Sequence, residues 1–194
     1  MPTKRMVRLT LVAWLLTTPL YTGQAGADQA PPDQELKARL VAALTESDGF
    51  QDRFDAEVWL TDMSFRLQPR IPAEEKRLEL LKQIHIEAQR AGLPPEVVLA
   101  VIQVESNFDR FAISSAGARG LMQIMPFWRD ELGLPEANLF EISTNLRFGC
   151  TILRFYLDKE RGNLTRALAR YNGSVGQYWY PERVYTALRT RWHQ

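Results

Sequence analysis

The chain has 194 residues, with 24 basic and 23 acidic side chains and a net charge of +1. That length suits one domain with an extension, and the near-neutral balance does not suit a nucleic-acid binder. A single cysteine, Cys150, excludes an internal disulfide and reads as a small buried apolar residue.

Residues 1–27 read as a secretory signal. Lys4, Arg5 and Arg8 form a basic start, Leu9 to Leu16 is largely apolar, and Ala25-Gly26-Ala27 offers a cleavage site after Ala27. The apolar run is too short to favour a membrane-spanning helix, and the mature chain carries no such segment. Removal takes three of the 24 basic residues and none of the 23 acidic ones, leaving a slightly acidic mature chain. A secreted, periplasmic protein is expected.

Residues 28–33 read as a leader. Helices are expected over Leu36 to Leu44, from near Asp52 to the break at Gln68–Pro72, and from about Ala73 to Ala91. Phe54, Val58, Leu60 and Met63 supply the apolar faces of the second. Leu78, Leu81, Ile84 and Ala88 form a stripe on the third, which stops at Gly92. His85 lies among apolar neighbours and reads as a core residue rather than a metal ligand. No acid in this region occupies an apolar setting like that of Glu105, so residues 28–92 are expected to be a helical extension without a catalytic group.

Val97 to Val104 is apolar on nearly every side, which fits a buried helix or a buried strand. Pro95 and the first-turn Glu96 favour the helix, and they place Glu105 at its end. Burial and the helix C-terminus would both raise the carboxyl pKa, as an acid protonating a glycosidic oxygen requires. On this residue alone, an ordinary solvated glutamate at a helix end is the competing reading. Asn107 to Gly120, with Ser114, Ser115 and Gly117, reads as an ordered loop. Leu121 to Met125 is apolar apart from the amide of Gln123.

Phe127 to Gly133 predicts a short helix, whose Phe127-Trp128 pair fits either a sugar groove or the core. Asn145 opens a predicted helix with Leu146, Gly149, Cys150, Leu153 and Leu157 on one stripe. Gly149 and Cys150 there suggest close packing against another helix. Asn163 caps a further helix carrying Leu164, Ala167, Leu168 and Tyr171. Gly176 to Trp179 reads as a loop, and Pro181 as the start of a last helix bearing Tyr185, Leu188 and Trp192.

The stretch Glu105-Ser106, Phe108, Ala112, Ser114, Gly117-Ala118, Gly120 to Gln123 and Met125-Pro126 resembles the family-1 lytic transglycosylases. These are the soluble-lytic-transglycosylase (SLT) domain of the lysozyme-like superfamily. Asn145 to Leu157 resembles their second motif, and Ala169 to Gly173 the third, usually Ala-Tyr-Asn-Ala-Gly. Arg170 and Gly173-Ser174 depart from that pattern, and Phe127-Trp128 departs from the usual small residue and threonine. Glu182 and Tyr185 resemble the closing motif, although Glu182 also suits a helix N-terminus as a favourable charge.

The resemblance implies a mainly α, lysozyme-like catalytic domain over 93–194, with the helical extension before it. It implies that Glu105 is the single acid/base and that Ser114, Met122, Gln123, Tyr171, Asn172 and Tyr185 contact the glycan. It further implies cleavage of the β-1,4 bond between N-acetylmuramic acid and N-acetylglucosamine in peptidoglycan strands, leaving 1,6-anhydromuramoyl ends. No metal or other cofactor is required. Within the central stretch only Asp109 accompanies Glu105, whereas most glycosidases use two carboxylates. A hydrolase of the goose-lysozyme kind and an inactive glycan-binding module remain as rivals, the second disfavoured by the presence of Glu105, Gln123 and Tyr171.

Overall fold

A computed structural model describes residues 53–193, of which 53–57 by backbone alone, together with Gln34, Glu35, Ala38 and Arg39. The expected signal sequence, leader and most of the Leu36–Leu44 helix lie outside the described residues. Residues 53–193 form seven α-helices: α1 (Arg53–Leu67), α2 (Glu74–Arg90), α3 (Pro95–Glu105), α4 (Phe127–Glu131), α5 (Ile142–Lys159), α6 (Leu164–Asn172) and α7 (Trp179–Ala187). A π-helical turn, Leu188–Trp192, continues α7. The only pairing between extended residues, among those described, is the isolated bridges of Ile113 with Arg119 and Arg119 with Ile124.

The fold is wrapped around α3. Pro95 enters at the first helical position, where its missing N–H is no loss. Val97 through Ile102 are all buried, so this helix has no solvent face over its middle turns. It packs against α2, α7 and the π-helical turn. From α1, Trp59, Met63 and Leu67 join the same core, and Leu80, Leu81 and Ile84 join it from α2. The Trp59 indole donates to Glu96 Oε1 at 2.7 Å and so ties α1 to the first turn of α3. Val58, expected on an apolar face of α1, is exposed instead, and Trp59 takes the inward position.

His85 is buried with its ring 5.0 Å from that of Trp59, as a core histidine. Burial lowers its pKa. Glu87 corrects one expectation: residues 28–92 do hold an enclosed acid, only 1% exposed. Its carboxylate accepts from Arg147 Nε of α5 at 2.6 and 2.7 Å and from Arg90 Nε at 2.8 Å. Two guanidiniums compensate the charge, so Glu87 bonds α2 to α5.

Helix α5 begins one turn before Asn145. The Glu141 carboxylate accepts from Ser143 at 2.7 Å and Thr144 at 2.5 Å, which stabilises the first turn. Asn145 is therefore an interior residue with a different task, taken up below. Gly149 does pack closely, though against the side chain of Met122 in the central loop rather than against a helix: a Cβ there would stand 2.7 Å from Met122 Cβ. Trp128 is fully buried with Phe127 packed beside it, so that pair belongs to the core. Asn163 caps α6 as expected, accepting from the Arg166 N–H at 3.0 Å. Helix α7 starts at Trp179, two residues earlier than Pro181 suggests.

Two outcomes test these contacts. Gly149→Ala overpacks the Met122 contact and should lower unfolding free energy by about 1–3 kcal/mol in urea titrations. Glu87→Ala removes the carboxylate that both Arg147 and Arg90 donate to across the buried contact of α2 with α5, and the same measurement should register a loss of about 3–5 kcal/mol.

Candidate functional site

Glu105 is the last residue of α3, and the next residue fixes where that end points. Ser106 Oγ donates to Leu121 O at 2.8 Å, which binds the helix terminus to the far side of the central loop. Asn107 and Phe108 then take left-handed backbone angles, φ 50° and 69°, and turn the chain sharply away. The turn is held on both sides. Asn107 Oδ1 accepts from Arg70 Nε at 2.7 Å, and the Phe108 ring lies 5.5 Å from that of Trp192.

Asn145 holds the returning arm of the loop. Its Oδ1 accepts from the Met122 N–H at 2.8 Å, while its Nδ2 donates to Arg119 O at 2.9 Å and Leu139 O at 2.8 Å. Gly120, at φ 77°, passes so close to this amide and to Leu139 O that a Cβ would overlap both. The Tyr171 hydroxyl donates to Met122 O at 2.7 Å. Both polar groups of the Met122 backbone are thereby satisfied by side chains from α5 and α6, and the loop is anchored without strands.

Within this frame Glu105 faces a cavity of about 70 Å³, lined by Val104, Ser114, Gln123, Asn172, Trp179, Tyr180 and Arg183 as well. Glu105 is the only acid among them. Asp109, by contrast, spends its carboxylate on the Phe111 N–H at 2.9 Å. A wider open groove of about 550 Å³ shares Val104, Trp179 and Arg183 with the cavity and continues along α7 past Glu182 and Thr186.

The carboxyl of Glu105 is half-buried yet strongly perturbed. Burial pushes its pKa from 4.5 up to about 7, against the opposing influences of a Tyr180 hydrogen bond and the positive charge of Arg183. The Tyr180 hydroxyl donates to Glu105 Oε1 at 2.5 Å. Burial and the neighbouring carboxylate hold that phenol protonated well past its ordinary range, so Tyr180 keeps its proton to donate to Glu105.

Three of the expected contact residues, Ser114, Gln123 and Asn172, do line the cavity with Glu105. Ser114 Oγ accepts from the Ala118 N–H at 3.0 Å, and Gln123 Nε2 donates to Gly120 O at 2.9 Å and Ala112 O at 3.2 Å. Both side chains therefore shape the loop while bordering the cavity. Gln123 also sits at φ 52°, a conformation disfavoured for a residue with a Cβ. Asn172 is buried, and its Oδ1 has no hydrogen-bond partner among the described residues. Such an acceptor is costly to leave unmet.

Met122, Tyr171 and Tyr185 stand elsewhere. The Met122 side chain is packed under Gly149, Tyr171 is a buried strut beneath the loop, and Tyr185 exchanges a 2.9 Å hydrogen bond with Thr165 between α6 and α7. None of the three lines the cavity. Conversely, Trp179, Tyr180 and Arg183 do line it and escaped the sequence reading. Tyr180 is 75 positions from Glu105, and no local spacing marks it as a partner.

The description "Transglycosylase SLT domain" belongs to the family model that matches residues 82–190. A transglycosylase of Enterobacteria phage PRD1 is 36% identical over 86 residues, which are 44% of this chain and 31% of the phage protein. Membrane-bound lytic murein transglycosylase C of Actinobacillus pleuropneumoniae serotype 5b is 30% identical over 114 residues, 54% of this chain and 31% of that protein. Membrane-bound lytic murein transglycosylase F of Desulfosudis oleivorans is 36% identical over 95 residues, 46% and 20% respectively. The chain thus spans no more than about a third of the length of these relatives. The matched region runs from the middle of α2 to the π-helical turn and contains every residue of the Glu105 cavity, and with it the chain belongs to the transglycosylase SLT domain family, of lysozyme-like all-helical fold.

Proposed function

We propose that this protein is a peptidoglycan lytic transglycosylase that acts in the periplasm, cleaving between N-acetylmuramic acid and N-acetylglucosamine and closing a 1,6-anhydro ring. The observation that carries the reading is Glu105, the lone acid of its cavity, enclosed enough to hold a proton near neutral pH. The relatives named as lytic murein transglycosylases support the same chemistry.

A protonated Glu105 donates to the glycosidic oxygen as the bond to C1 breaks, and the N-acetylglucosamine side leaves as an alcohol. The carboxylate so formed accepts a hydrogen bond from Tyr180, which steadies it between the two steps. Glu105 then removes the proton from the muramoyl 6-hydroxyl while that oxygen bonds to C1. The proton lost in the first step is regained in the second, so the enzyme returns to its starting state. An intramolecular nucleophile needs neither a second carboxylate nor an ordered water. Trp179 and Arg183, shared by cavity and open groove, suit a strand that continues out along α7.

Glu105→Gln keeps shape but loses both proton transfers, each worth roughly 10²–10⁴ in rate. Release of anhydromuropeptides from purified sacculi should collapse accordingly, with product masses separating anhydro ends from the hydrated ends a hydrolase leaves. Abundant anhydro product from a folded variant would sink the mechanism. Stability supplies an independent reading. A carboxyl whose pKa is raised on folding stabilises fully below about 4.5, and that contribution is lost as pH rises through about 7. Relative to wild type, Glu105→Gln should therefore melt at progressively higher temperature between pH 4 and pH 8.

Tyr180→Phe removes a hydrogen bond that favours the charged carboxylate. The alkaline limb of kcat/KM, set by loss of the Glu105 proton, should move to higher pH, while maximal kcat falls because the carboxylate is less steadied. An unmoved limb would show that Tyr180 does not act through Glu105.

A further inference from the structure

A second cavity, of about 310 Å³, lies between the end of α5, one face of α6 and the connection from α6 to α7. Its walls include Glu160, Arg166, Arg170, Val175, Gln177 and Tyr178. None of these lines the Glu105 cavity. One loop separates the two spaces: Gln177 lines the second cavity, and its Oε1 accepts from the indole of Trp179, which lines the first, at 2.7 Å.

The charges in this cavity do not balance. Arg170 is closely ion-paired to Glu160 through Nε. Arg166 reaches the same carboxylate only at 3.9 Å, and its side chain is 73% exposed. One carboxylate against two guanidiniums leaves a surplus positive charge on the exposed Arg166. Beside it stand Val175 and Tyr178, large apolar groups 62% and 65% exposed. A guanidinium next to small apolar surface fits a carboxylate carried on a short apolar body. The volume, near the lower end for ligand sites, suits a peptide terminus rather than an oligosaccharide.

Resting on the lytic transglycosylase reading, we propose that this cavity is a subsite for the free carboxylate terminus of a peptide stem on the glycan strand. Stems of peptidoglycan end in alanine, whose methyl group meets Val175 and Tyr178 while its carboxylate meets Arg166. The stem hangs from the muramic acid at the scissile bond and is several residues long, so its far end extends past the Glu105 cavity to a subsite one loop away. Arg170, held by Glu160, shapes the wall and leaves Arg166 to receive the ligand.

The test uses the full chain carrying Glu105→Gln, so that no bond is cleaved, and the probe diacetyl-Lys-D-Ala-D-Ala with its C-terminal amide as control. Calorimetry should find the acid bound roughly tenfold more tightly than the amide, the worth of one charge-assisted contact. Adding Arg166→Gln should erase that difference and leave the weaker affinity of the amide as it was. In the otherwise native enzyme, Arg166→Gln should raise KM for stem-bearing strands, with kcat and the kinetics on stem-free strands unchanged. Equal affinity for acid and amide, or indifference to Arg166→Gln, would overturn the subsite while leaving the lytic activity standing. Binding of the acid that depends on Arg166, in a protein releasing no product from either kind of strand, would instead keep the site and remove the proposed reaction.

Discussion

The structure turns on keeping one carboxyl away from bulk water at the end of a helix that water does not reach. Val97 to Ile102 are enclosed on all sides, so α3 delivers Glu105 out of the core rather than along the surface. Desolvation disfavours the charged form, and this outweighs both the Tyr180 hydrogen bond and the positive charge of Arg183. The balance leaves the group near neutrality, where neither protonation state is far from reach. A deeper site without Tyr180 would hold the proton too firmly to release it, and a more open one would never retain it.

The rest of the molecule fixes the surroundings of that carboxyl by means other than regular secondary structure. The chain from Asn107 to Met125 has left-handed residues at Asn107, Phe108, Gly117, Gly120 and Gln123, and it forms only two isolated bridges. Its rigidity is borrowed. Asn145 and Tyr171 take the polar groups of the Met122 backbone, Ser106 takes Leu121 O, and Gly149 makes room for the Met122 side chain. Conformational strain in three non-glycine residues is offset by side-chain hydrogen bonds from α5, from α6 and from Ser106 just after α3. Arg147 on α5 is in turn bound to α2 through Glu87, so the platform beneath the loop is itself held to the preceding helices.

Much of this was legible in the sequence, and the pattern of what was not is physical. Helix α3, its entry at Pro95 and the position of Glu105 follow from apolar periodicity and a proline, both local signals. The loop and its glycines follow likewise. Met122 and Tyr171 could be singled out but not given their places, because a motif states that residues matter without distinguishing contact from support. Tyr180 left no trace, since its significance lies wholly in a neighbour 75 positions away. Glu87 was overlooked for a similar reason: an acid on a helix looks solvated until the arginine opposite it, 60 positions on, is known. Gly149 announced a close approach correctly but could not say what approached.

The closure of α1 onto residues 188–193 bears on when the site comes into being. Arg66 donates to the carbonyls of Arg191 and His193, Arg191 returns a bond to Arg66 O, and Trp192 donates to Gln103 on α3. These contacts span about 90 to 127 positions, and the phenol that steadies Glu105 arrives from the same late region. Long loops must close before such contacts form, which slows folding relative to a bundle of neighbouring helices. As the chain is synthesised, α3 is complete long before Tyr180 and Trp192 emerge. Glu105 is therefore made 75 positions ahead of the phenol that bonds it, and its pocket stays unwalled over that interval.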